Sequence, residues 1–197
     1  SNDWYLNSGL SYRSTRLTGT SSDAEVSPAR QKLYYNGRTL TRQRRQRDYD
    51  TDQFVIRSEV SGQFDTGSIA HELIVGVDYD LFDYDRDYRV YRSPALSTNP
   101  TNEMLHAIDI HQPLYGQHPL PTPIPAIVRV QEQIATGLYL QDQMRLTDNL
   151  HLRLGGRIDR LKQTLDDKIT NFDAEQSETH FSPQAGVVYE LSDSWSL

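Results

Sequence analysis

A chain of 197 residues, 36% hydrophobic and net charge −7, contains no apolar run near the ~20 residues that a membrane-crossing helix needs. A helical membrane protein is therefore excluded, but the mean hydropathy of −0.68 leaves a β-barrel open, because only every second strand residue meets lipid. Cysteine is absent, which rules out disulfides and thiolate metal sites within the chain. Residues 1–4 open directly in a turn-like segment with no signal peptide, which leaves either no export or an internal piece of a longer chain.

Taken in order, the first strand alternates Trp4, Leu6, Leu10 and Tyr12, and a turn-rich polar loop over about 17–37 follows. A long second strand is predicted over about 38–65. There Phe54, Ile56, Val60 and Phe64 share one face, opposed by Arg57, Glu59, Ser61 and Gln63. Asp65-Thr66-Gly67-Ser68 is a tight turn, with glycine supplying positive φ. The third strand places Ile69, His71, Leu73, Val75, Val77, Tyr79 and Leu81 against Glu72, Asp78 and Asp80, and continues to about 92.

Residues 93–128 carry prolines at 94, 100, 113, 119, 121, 123 and 125, a density that predicts a loop without ladder bonds. Strands are then expected at about 129–146 and 150–166, joined by Thr147-Asp148-Asn149, and at about 179–191. In the central hairpin Leu150, Leu152, Leu154, Gly156 and Ile158 face one way, and His151, Arg153, Gly155, Arg157 and Asp159 the other. Asp142 interrupts the apolar side of its partner strand, and nothing in the local sequence accounts for it.

The tight turns fall at alternate strand ends and the long connections (17–37, 93–128, 167–178) at the opposite ends. Strands longer than ~9–11 residues with this asymmetry are the habit of outer-membrane barrels. The fold class is thus all-β: an antiparallel up-and-down meander of about six strands plus the start of a seventh, an incomplete part of a transmembrane barrel. A soluble β-sandwich or carbohydrate-binding module, and a simple porin wall, are the alternatives. A sandwich would have to bury the apolar face against a second sheet.

Residues 64–79, FDTGSIAHELIVGVDY, resemble the F-x-T-G-x-x-x-H-x-L-L-x-G-x-D-Y stretch of the barrel domain of TonB-dependent ferric-siderophore receptors. GLYLQDQ at 137–143 with GGRID at 155–159, FSPQAGVVY at 181–189, and DIHQPLYG at 109–116 are similar to further stretches of that family, in order and at matching spacing. The resemblance implies a 22-stranded barrel with an N-terminal plug in the bacterial outer membrane. It also implies a ferric siderophore as transported ligand rather than a bound cofactor, and TonB acting through the N-terminal region. Residues 1–197 would then be a partial barrel with no plug and two open sheet edges.

No Ser-His-Asp order, phosphate loop or paired-carboxylate site stands out, so no enzyme is expected. The RQRRQR run at 42–47 reads as a solvated or lipopolysaccharide-facing wall rather than a nucleic-acid patch, given the acidic chain. Acids at 80, 83, 85 and 87 among tyrosines and arginines read as cross-strand ion pairs. The candidate ligand-binding residues are Tyr88, Tyr91, His106, His111, Tyr115, His118 and Arg129. Aromatics and imidazoles suit stacking and hydrogen bonding to a ferric chelate, and arginine suits its anionic groups. The three loop histidines match no zinc spacing, and no metal site is expected.

Overall fold

The computed structural model describes residues 3–97, 106–116, 120–192 and 195–196. Six long strands form the wall: β1 (Trp4–Ala24), β2 (Thr39–Thr66), β3 (Ile69–Tyr91), then β5 (Ile124–Arg145), β6 (Leu150–Asp167) and β7 (Phe172–Ser192). Between them lie a single-turn helix α1 (Leu33–Asn36) and a three-residue strand β4 (Ala107–Asp109), and β8 (Trp195–Ser196) begins a further strand. Neighbours pair antiparallel in the order β1-β2-β3-β5-β6-β7-β8, with β4 attached to β2. This is the up-and-down meander that the alternation predicts.

Register sorts the side chains, because directly opposed residues point to the same face. One continuous row reads Leu6, Val60, Val75, Leu140, Gly156 and Pro183, and its neighbour reads Ser8, Ser58, Val77, Leu138, Ile158 and Phe181. Leu73, Val75, Val77, Leu150, Leu152, Leu154, Val187 and Tyr189 all fall on this face, as the alternation requires. Aromatic residues bracket the band: Tyr12, Phe54 and Tyr79 toward the long loops, Trp4, Phe64 and Tyr189 toward the tight turns. From Phe54 to Phe64, a rise of about 3.4 Å per residue along a strand tilted by about 45° spans about 24 Å, close to the ~25 Å apolar band of an outer-membrane barrel.

Among the described residues there is no buried hydrophobic core, and no second sheet covers the apolar face. Within the described residues the sheet is therefore not one half of a sandwich, and its apolar face lies uncovered, as on the exterior of a barrel wall.

Three expected boundaries shift. The 17–37 loop shortens because β1 runs on to Ala24, paired with Arg42. The 167–178 connection is a turn over 168–171: Asp167 Oδ1 accepts the amides of Ile169 (3.0 Å) and Thr170 (3.2 Å), and Asn171 takes φ 51°. The polar run 172–178 therefore belongs to β7. Its side chains lie above the apolar band, and the alternation of Phe172 and Ala174 with Asp173 and Glu175 is too short to betray a strand.

Residues 93–128 are not free of ladder bonds. β4 lies between Pro100 and Pro113, where no proline intervenes, and pairs with Thr39–Thr41. β5 starts five residues before the expected 129: the register shifts at Tyr88/Arg89, and Pro125 sits at that bulge, where its missing N–H costs least. Toward the other end, Gly67 (φ 66°) closes the β2–β3 turn, and Thr147 Oγ1 accepts the amides of Asn149 and Leu150 to close β5–β6.

Candidate functional site

Above the apolar band the same strands sort charge by face. The outward rows read Ser14, Asp52, Asp83, Glu132, Thr164, Glu175 and then Arg16, Asp50, Asp85, Val130, Asp166, Asp173. The inward rows between and beside them read Arg13, Gln53, Phe82, Gln133, Gln163, Gln176; Thr15, Thr51, Tyr84, Gln131, Leu165, Ala174; and Leu17, Tyr49, Arg86, Arg129, Asp167, Phe172. Of those three inward rows only Asp167 is acidic.

The Arg86 guanidinium carbon sits 5.4 Å from the centroid of Tyr49 and 5.8 Å from that of Tyr88. Tyr49 in turn meets Tyr84 edge-on at 6.0 Å. The Nε of Arg86 is buried with no hydrogen-bond partner. Opposite Arg86 in the register, Arg129 donates to Asp167 at 2.8 Å, which holds the Asp167 carboxyl below its usual range. Two inward rows toward the band, Gln163 donates to Gln133 (2.7 Å) and Gln176 to Gln163 (2.5 Å). These amides and Phe82 line a recess of about 410 Å³. Cationic, aromatic and amide groups thus face the interior, a set that can stack on, pair with and hydrogen-bond an anionic, oxygen-rich ligand.

Deeper in the wall, inward charges are mutually engaged. Arg157 reaches Asp78 through both terminal nitrogens (2.8 and 2.9 Å) and Asp159 through Nε (2.7 Å). Tyr139 donates to Glu59 at 2.7 Å. Gly76 and Gly137 make room for these side chains: a Cβ would meet the Tyr139 ring at 2.2 Å and the Arg157 guanidinium at 2.1 Å.

The sequence-predicted residues divide. Tyr88 and Arg129 join the inward arginine–aromatic site. Tyr91 belongs to the opposite face, in register with Arg44, and meets His106 edge-on at 6.3 Å. His106 is 2% exposed, and burial followed by the Arg42 and Arg44 charges lowers its pKa. His111 and Tyr115 are exposed, the His111 amide bonding Asp109 Oδ1 at 2.9 Å. His118 lies outside the described residues.

His106 belongs to a polar knot that ties two long connections together. Glu25, 1% exposed, is held by Arg92; burial raises its carboxyl, and the Arg92 and Ser27 hydrogen bonds outweigh that, so its pKa is lowered. Gln31 bridges the carbonyls of Glu25 (2.7 Å) and Thr41 (3.0 Å), and Arg42 donates to the His106 carbonyl at 3.3 Å.

The acids at 80–87 also sort by face rather than forming one cluster. Asp80 points inward and accepts from Gln53 at 2.9 Å, while Asp87 pairs with Arg89 on its own strand at 2.8 Å. Arg86 faces tyrosine rings instead of carboxylates. Sequence reasoning named neither Arg86, Tyr49, Tyr84 nor the glutamine row as ligand-facing, although the alternation of DYDRDYRVYR already places Tyr84, Arg86 and Tyr88 on one side.

A family profile described as TonB dependent receptor-like, β-barrel matches residues 1–197. The chain belongs to that family. Its members are outer-membrane β-barrels, and the family is one of receptors rather than enzymes. Among its relatives, the metal-pseudopaline receptor CntO of Pseudomonas aeruginosa (strain UCBPP-PA14) is 31% identical over 196 residues, covering 96% of this chain and 25% of the receptor. The ferrioxamine receptor of Yersinia enterocolitica is 28% identical over 176 residues, 87% of this chain and 24% of that protein. Among solved structures, the ferric citrate transporter FecA in its unliganded form superposes with TM-score 0.66 at 19% identity, covering 98% of this chain and 23% of FecA. The siderophore receptor PiuA from Acinetobacter baumannii gives TM-score 0.66 at 16% identity, with 98% and 28% covered. The chain thus spans about a quarter of the length of these relatives.

Proposed function

We propose that residues 1–197 are part of the barrel wall of a receptor that imports an anionic metal chelate of the ferric-siderophore class across the outer membrane. A plug and a TonB-contacting segment, supplied elsewhere in the receptor, would fill the lumen and deliver the energy. Charge sorting at the mouth carries this reading: acids other than the Arg129-paired Asp167 turn outward, whereas Arg86, Arg129, four aromatic rings and five glutamines turn inward in those three rows. A ligand entering the lumen meets cations and π-faces, and Arg86 offers a desolvated Nε–H with no protein acceptor. Relatives whose names specify metal-pseudopaline and ferrioxamine agree with a metal chelate as the ligand.

Equilibrium titration of the full-length receptor with carboxylate, catecholate and hydroxamate ferric complexes tests the reading. Arg86→Gln is expected to weaken the cognate complex at least tenfold, about 1.4 kcal/mol. Asp85→Asn, its outward neighbour, should stay within about twofold, roughly 0.4 kcal/mol. Unchanged affinity in Arg86→Gln contradicts the proposal.

The long connection is its second element. His111 and Tyr115 project from an exposed segment of it toward the medium, placed to meet the ligand first. Removing residues 99–123 would also remove β4 and its ladder with β2, so the informative deletion is 111–122. Uptake is expected to fall by about an order of magnitude at unchanged surface level; unchanged uptake would leave the loop a shield of the mouth.

A further inference from the structure

Asp142 is the one acid on the outward face of β5 inside the apolar band, in register with Leu73 and Leu154. It is paired: His71, outward on β3, bonds its Oδ2 through Nδ1 at 2.8 Å. The imidazole stacks on Phe64 (4.6 Å, 2° between planes), and Phe64 stacks on Trp4 at 6.3 Å. The pair is only half satisfied. Asp142 Oδ1 and His71 Nε2 are both buried with no partner, and a lipid tail can supply none. An ionisable pair kept on a lipid-facing surface asks for a polar ligand.

A groove of about 670 Å³ leads away from this pair across the same face. Gly156 floors it; a Cβ there would lie 2.8 Å from the Phe181 ring. Leu138, Leu140, Leu154, Ile158 and Phe181 wall it, and Asp142 and Met144 close it on the side of the tight turns. The volume is of ligand size, ~300–1,000 Å³. Both ends point to one kind of occupant. The apolar part lies in the membrane band, and the carboxylate lies within five residues of the Thr147 turn, where that band gives way to headgroups.

We propose that this groove binds a single amine-bearing phospholipid of the turn-side leaflet. One acyl chain lies along Leu140 and Leu154 against the Phe181 ring that covers Gly156, the headgroup ammonium donates to Asp142, and the headgroup phosphate meets His71. His71 also positions the carboxylate by holding its other oxygen. The inference rests on the outward placement of the apolar face and not on the transported ligand.

Native mass spectrometry of the full-length receptor, delipidated in mild detergent and titrated with phosphatidylethanolamine or phosphatidylglycerol, tests it. The parent is expected to retain one phosphatidylethanolamine, at least tenfold in preference to phosphatidylglycerol. Asp142→Asn should bring that preference to within about twofold, and Leu154→Trp, which fills the groove without adding charge, should remove the bound lipid of either kind. Heat-modifiable gel migration verifies that each variant is folded. Siderophore affinity should be unchanged in Leu154→Trp. Equal retention of the two lipids by the parent, a preference that survives in folded Asp142→Asn, or displacement of the lipid by a second receptor copy overturns the proposal.

Discussion

The two faces of one sheet do different work with the same backbone. Along β3, Asp83, Asp85 and Asp87 point out while Tyr84, Arg86 and Tyr88 point in, and below them Val75 and Val77 meet lipid while Ile74, Gly76 and Asp78 line the interior. Nothing but parity separates these sets. Period 2 therefore decides which residues see hydrocarbon, medium or lumen, and a one-residue slip would exchange all three environments at once.

The largest expected effect comes from violating that parity at mid-band. Val75 shares its row with Leu6, Val60, Leu140 and Gly156, midway between the aromatic ends. Val75→Arg in the full-length receptor should cost about 2–4 kcal/mol of folding free energy in lipid vesicles. Ile74→Arg, one residue along and facing the interior, should cost about 0.5 kcal/mol or less. Similar costs at the two positions would break the face assignment.

The same face explains a second expectation. The 197 residues alone should aggregate or stay loosely folded in detergent-free buffer, since the apolar face lacks lipid, the outer edge of β1 has no strand beside it, and that of β7 is paired only at its end by the two-residue β8. A sharp, reversible melt of a monomer would contradict it.

A smaller effect concerns the loop knot, which is buried by polar groups where the wall below is exposed. His106 beside Arg42, Arg44 and Tyr91 has a pKa lowered from 6.5, so below about pH 6.5 the opened loop binds a proton that the closed loop refuses. Protection therefore falls as pH drops through that window. Glu25, lowered from 4.5, adds a loss in the same direction at more acidic pH. Hydrogen exchange at residues 25–43 and 106–110 should accelerate between pH 7 and 5 beyond the intrinsic chemistry, and His106→Phe should remove that component. Identical pH dependence in the variant would show that His106 is not the titrating group.

How legible the molecule is in its sequence follows from which signals are local. The membrane band is local: alternation over 54–64, 69–81 and 150–158 sets faces that the register reproduces. Asp142 looks like a defect because its partner, His71, lies 71 residues away and only β3–β5 pairing joins them. β7 hides its first seven residues because only Phe172 and Ala174 are apolar there, and β5 hides its start behind Pro123 and Pro125. Residue type alone points to Tyr88, Tyr91, His106, His111, Tyr115, His118 and Arg129 as ligand candidates. The row proposed to meet the ligand, Tyr49–Arg86–Arg129, runs across strands and emerges only once register is known.

The central claim is that the inward rows above the band, and not the outward ones, face the transported ligand. With cysteine absent from these residues, single substitutions give clean reporters in a receptor freed of other reactive thiols. Tyr84→Cys and Gln133→Cys report the inward face; Asp83→Cys and Glu132→Cys report the outward face at the same height. Labelling by a membrane-impermeant maleimide on intact cells, with and without saturating ferric siderophore, compares them directly. Ligand is expected to slow labelling at 84 and 133 at least several-fold and to leave 83 and 132 unchanged. Protection of the outward pair, or equal labelling at all four positions with ligand bound, would contradict the account.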